Sequence, residues 1–153
     1  MIRVSIASPQ QTVPIDRGGV RQVVRTVLEQ EGIHDAEISV AFVDDATIHR
    51  LNRQFLQHDE PTDVLTFPLS EPKARRLAGE LVIGAEVAQR QADERGHAVG
   101  AELALYVIHG LLHLCGYDDH RPADIRTMRA KEREYLRRLG FPDIVDEPSR
   151  DRP

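Results

Sequence analysis

The chain reads as an α+β domain: a small four-stranded mixed sheet packed with about five helices, one of them a buried central helix that carries two histidines. Three observations predict this. Two stretches near the start run strand then helix, two later extended runs are joined by a proline-containing loop, and residues 99–114 are apolar on every helical face. Strand–helix units followed by a hairpin and further helices build a layered α+β fold around one core. At 153 residues, one domain over 1–140 is expected. A loose tail over 141–153, rich in proline and charge, should follow it.

Ile2, Val4 and Ile6 alternate with polar neighbours, the period of a half-buried strand. Pro9 and Pro14 interrupt the chain, and Asp16 offers an N-cap. Val20, Val23, Val24, Val27 and Leu28 then fall at helical spacing, which predicts an amphipathic helix over 17–30 ending near Gly32. Ile38, Val40, Phe42 and Val43 form the second strand. Asp44 or Asp45 caps a helix with Ile48, Leu51 and Phe55 on one face. Gln57 to Thr62 reads as a polar turn into a third strand, Asp63 to Leu69, closed by Pro68. The loop at Glu71–Arg76 separates it from a fourth strand at Glu80–Ile83, its expected neighbour. Ala85 to Arg95 is a helix stopped at Gly96. After the central helix, Pro122 opens a last one reaching about Leu139, with Ile125, Met128, Tyr135, Leu136 and Leu139 as its buried stripe.

The totals exclude several classes. The chain is 41% hydrophobic and 29% charged, an ordinary globular balance. No apolar run reaches the roughly 18–20 residues that cross a bilayer, and the first residues lack the apolar stretch of a signal peptide. The single cysteine, Cys115, rules out an internal disulfide, fits a reducing cytoplasm and is expected to pack. A net charge of −5 argues against a protein that coats nucleic acid over its whole surface, and leaves room for a local basic groove.

The chemistry gathers at residues 109–120. His109 and His113 are separated by about 400° of helical turn, so both imidazoles project from one face of a helix that belongs in the core. Gly116 stops that helix, and Asp118, Asp119 and His120 follow. Two aligned histidines, a glycine turn and a third histidine are the layout of an open metal site, in which three protein ligands leave one position for water. A zinc peptidase would need a glutamate beside the first histidine as general base. That position is Gly110, which moves no proton. Asp118 and Asp119 are the nearest carboxylates, placed either to orient a water, with Asp118 the candidate catalytic residue, or simply to hold the turn.

The run His109-Gly110-Leu111-Leu112-His113-Leu114-Cys115-Gly116-Tyr117-Asp118-Asp119-His120 resembles the signature of the YbeY-type endoribonucleases. Asp59 to Pro68 resembles a second block of that family, and Gly79–Ile83 with Glu86–Ala88 a third, so the likeness spans about 140 residues. The resemblance implies a cytoplasmic, metal-dependent, single-strand endoribonuclease. It further implies work on ribosomal RNA, notably the 3′ end of the small-subunit RNA, a part in ribosome quality control, and the small ribosomal subunit as partner. It also implies one zinc ion on three histidines, which map to His109, His113 and His120. Two departures stand out. The family pattern has one residue between the tyrosine and the third histidine, where this chain has Asp118 and Asp119. Either His120 reaches the metal across a longer turn, the expected case because imidazole is the longer ligand, or Asp119 takes its place. The family's arginine after the Asn-x-x-aromatic run is here Leu56, so Arg53 substitutes for it or the RNA backbone is held less tightly.

Residues 121–139 carry seven basic side chains (Arg121, Arg126, Arg129, Lys131, Arg133, Arg137 and Arg138) against three acidic ones. That face, with the loop of Lys73, Arg75 and Arg76, reads either as a phosphate-binding surface or as a solvated helix side. Tyr117 is the expected base-stacking platform. Two other readings compete with the nuclease: a ribosome-associated factor with a structural zinc, and a metallopeptidase working despite Gly110.

Overall fold

The computed structural model describes residues 1–56, 63–72 and 74–145, with the Leu56 side chain outside that description. The expectations for the turn at 57–62, for Leu56 and for Lys73 therefore lie outside the described residues.

In chain order the elements are β1 (Ile2–Ala7), α1 (Arg17–Gln30), β2 (Ala36–Val43), α2 (Asp45–Leu51), a turn of π-helix (Asn52–Leu56), β3 (Val64–Pro68), β4 (Leu77–Gly84), α3 (Ala85–Arg95), α4 (Val99–Leu114) and α5 (Pro122–Arg138). The sheet order is β1-β2-β4-β3. β1, β2 and β4 run parallel, and β3 returns antiparallel on β4 as an edge strand. The mixed four-stranded sheet and its five helices are as the sequence predicts.

Caps form where expected. The Asp16 carboxylate accepts from Gly19 N–H at 3.0 Å, and Asp44 from Thr47 N–H at 2.8 Å. One register differs. The π-turn adds a residue per turn and swings Phe55 off the stripe of Ile48 and Leu51. Phe55 lies 56% exposed, edge-on to Phe67.

One face of the sheet, through Ile38, Val40, Phe42, Leu77, Leu81 and Ile83, packs on Ile108, Leu111 and Leu112 of α4. Twelve of the 16 residues of α4 are buried; His109 and His113 are among the four that are not. The helix lies close to β4 because glycines face it. A Cβ on Gly110 would stand 2.7 Å from Leu81 Cδ2, and one on Gly79 2.6 Å from Leu114 Cδ2. Thus the position that would carry a peptidase glutamate points into the sheet. Gly110→Glu should lower stability by at least the ~1–3 kcal/mol of ordinary overpacking, with a buried charge on top. A urea midpoint unchanged in that variant would contradict this packing.

Among the described residues no helix is long and apolar enough to cross a membrane. Of the tail expected from residue 141, the described part reaches residue 145 and lies on the core. Ile144 and Val145 are buried, and their carbonyls accept from Arg95 at 2.6 Å and Arg133 at 3.1 Å. Residues 146–153 lie outside the description.

Candidate metal centre

His109 and His113 sit one turn apart on α4, facing the edge strand β3, with their ring planes 81° apart. Their Nε2 atoms lie 3.1 Å from each other. The Oδ2 of Asp119 completes a triangle, 3.5 Å from His109 Nε2 and 3.4 Å from His113 Nε2. A tetrahedral ion with ligand bonds of ~2.0–2.1 Å has edges of about 3.3–3.4 Å between its ligand atoms. The three donor–donor distances therefore suit a divalent ion, and imidazole nitrogen with carboxylate oxygen is a set that zinc accepts.

The turn decides which residue arrives third. α4 closes with Gly116 in the left-handed conformation, φ +100°. Tyr117 N–H donates to Leu112 O and Gly116 N–H to His113 O, both at 3.0 Å. The chain then doubles back, bringing Asp119 onto the histidine pair. His120, the expected third ligand, is instead turned to solvent; its side chain is 84% exposed, with Nε2 at 3.3 Å from Asp118 Oδ1. Asp119 lies two residues past Tyr117, the spacing at which the resemblance places its third ligand. Asp118 also faces outward, and its carboxylate takes the Asp119 N–H at 2.7 Å.

The histidines are held from behind. Nδ1 of His109 meets Glu132 Oε2 at 2.6 Å, and Glu132 Oε1 takes Arg129 Nη1 at 2.6 Å. Glu132 is 1% exposed and Arg129 is buried beside it. A carboxylate on Nδ1 keeps the proton there and leaves the Nε2 lone pair facing the site. Burial, and then the neighbouring His109, hold the pKa of His113 below the usual histidine value, with Asp119 offsetting part of the effect. Its ring thus stays in the neutral, ligating form to lower pH than a free imidazole.

The triangle opens on a shallow cavity of about 470 Å³ lined by Asp63, Val64, Leu65, Thr66 and Pro68 along β3. Tyr117 lines a different cavity, behind the turn. Its hydroxyl is engaged by Glu31, so it is not placed to stack a base over the histidines. Cys115 packs as expected, its thiol pushed up to about 12 chiefly by burial.

The basic face of α5 is smaller than its composition suggests. Arg129 serves Glu132, Lys131 serves Glu31 at 3.3 Å, Arg133 serves Asp143 at 3.3 Å, and Arg138 serves Glu134 at 3.7 Å. Arg121, Arg126 and Arg137 are exposed. In the loop before β4, Arg76 pairs with Glu37. Glu132 is not distinguished in the sequence because one of three acidic residues in a basic helix looks like a surface charge; its only signal is its apolar flanks at Met128 and Leu136.

An α+β domain whose core helix presents two imidazoles, and whose following turn returns a carboxylate to them beside an edge-strand groove, defines a candidate metal protein. The family model described as Endoribonuclease YbeY matches residues 5–140. The chain belongs to that family. It is 51% identical over 111 residues to an endoribonuclease YbeY of Anaeromyxobacter dehalogenans, covering 72% of this chain and 58% of that one. It is 41% identical over 148 residues to that of Pelotomaculum thermopropionicum, covering 90% and 97%. Among solved structures, the solution structure of TM1509 from Thermotoga maritima matches with a TM-score of 0.66 at 29% identity, over 99% of this chain and all of the other.

Proposed function

We propose that this protein is a zinc-dependent, single-strand-specific endoribonuclease of the cytoplasm. Its work in this reading is ribosomal RNA processing, with maturation of the small-subunit RNA 3′ end and ribosome quality control as its setting and the small subunit as partner. The observation that carries the proposal is the convergence of His109 Nε2, His113 Nε2 and Asp119 Oδ2 on one point beside an open groove, in a chain of this family. Bound there, a zinc ion supplies a Lewis acid beside a phosphoryl oxygen and makes a nearby water more acidic.

The chain's own residues do the rest. Glu132 keeps the His109 proton on Nδ1, Arg129 holds Glu132, and the Asp118 carboxylate shapes the turn that delivers Asp119. The groove along β3 admits an extended strand, and the openness of the site favours a catalytic ion over a structural one, which takes a closed four-ligand shell. Gly110 leaves the site without the base that a peptidase of this motif requires.

Purified protein loaded with zinc should cut single-stranded RNA, leave duplex RNA intact, and lose at least ~100-fold in rate on chelation or in His113→Ala. Unchanged cleavage by His113→Ala would remove the metal from the mechanism. A folded wild type that binds zinc and never cuts RNA would favour the ribosome-associated factor.

A further inference from the structure

The turn that delivers Asp119 is tethered from outside the site. Tyr117 Oη donates to Glu31 Oε1 at 2.7 Å across 86 residues of chain. The other carboxylate oxygen of Glu31 accepts from Tyr135 Oη and from Lys131 Nζ, the latter at 3.3 Å. Lys131 Nζ also lies 5.8 and 5.9 Å from the ring centroids of Tyr117 and Tyr135. Burial alone would raise the pKa of Glu31; the two tyrosine hydroxyls and Lys131 together bring it below the ordinary glutamate value. Glu31 is the residue that ends α1, so α1, α5 and the turn after α4 meet on one carboxylate. The backbone N–H of Tyr117 donates to Leu112 O at 3.0 Å, in the last turn of α4 that carries His113. Tyr117 therefore closes the end of α4 with its main chain and holds the tether with its side chain, two residues before Asp119.

A carboxylate at the third position makes this tether matter. An aspartate side chain is shorter than an imidazole, so its turn must be drawn further in to reach the same point. α5 supplies both supports: Glu132 behind His109, and Lys131 with Tyr135 behind Tyr117. We propose that Glu31 and the Tyr117 hydroxyl are positioning residues that hold the Asp119 carboxylate against the histidine pair. This rests on the metal-site reading above.

The test measures zinc affinity of the full chain by competition with a chromophoric chelator, together with the visible spectrum of the cobalt(II)-substituted protein and thermal unfolding of the metal-free form. Tyr117→Phe keeps the ring and should bind zinc roughly tenfold more weakly, within the ~10–100-fold range of outer-sphere supports. Its cobalt spectrum should shift. Glu31→Gln, which keeps one acceptor, should show a smaller loss of the same kind. The decisive comparison is Tyr117→Phe in an Asp119→Ala background, where no further affinity should be lost because the two act as one unit. Wild-type affinity in Tyr117→Phe would overturn the proposal, and so would a full tenfold loss added on top of Asp119→Ala. None of these readouts uses RNA, so a failure of the endoribonuclease reading appears separately, as zinc binding without cleavage.

Discussion

Asp119→Ala strips the protein of tightly held zinc, while His120→Ala retains it. That is the expected outcome of metal analysis after gel filtration, and of chelator competition on the two variants. The loss in Asp119→Ala should exceed the ~10–100-fold that supports behind a ligand carry, because the variant removes a ligand itself. His120→Ala should stay within about threefold of wild type, since its side chain stands in solvent against Asp118. The reverse pattern would mean that the turn refolds around the ion and brings His120 inward, as the sequence leads one to expect. Two imidazoles and a carboxylate also leave a divalent ion with a net charge of +1, where three imidazoles leave +2. An ion held by Asp119 would therefore acidify water less than one held by three imidazoles, and the rise of cleavage rate with pH should sit higher in this chain than in Asp119→His.

The fold was legible because its strongest signals are local. The valines at helical spacing in α1, the alternation of β1 and β2 and the all-round apolarity of α4 each need only a few neighbouring residues. The same holds for His109 and His113, whose shared face follows from helical geometry alone. The carboxylate that joins the two histidines was not legible in this way. A single sequence does not separate an inserted residue before His120 from a histidine replaced at position 119. What separates them is the left-handed Gly116, the pair of hydrogen bonds that close α4, and the direction in which the next three residues leave. Glu132 and Arg129 were hidden for a different reason: their burial exists only once α5 lies on α4, and helix 122–138 taken alone is strongly charged. Phe55 misled because one π-turn shifts the helical phase, an event with no signature in the apolar pattern.

Removing Glu132 should damage both the fold and the site, and the two effects can be separated. Glu132→Ala leaves Arg129 buried without its carboxylate, which typically costs about 3–5 kcal/mol, so the urea midpoint should fall sharply. It also frees the proton on His109 Nδ1, and zinc affinity should drop ~10–100-fold. If only the stranded charge mattered, removing it too would cure both defects. Arg129→Met with Glu132→Leu replaces the pair by apolar side chains, a change that in buried sites is often neutral or stabilising. Stability should therefore recover in the double variant. Zinc affinity should not, because no acceptor remains behind His109 and its ring is free to take the tautomer with Nε2 protonated. A double variant that regains both would show that Glu132 serves the core and not the metal. One that regains stability alone assigns the carboxylate to the histidine, and with it the reason a buried charge persists in a core that would pack more simply without it.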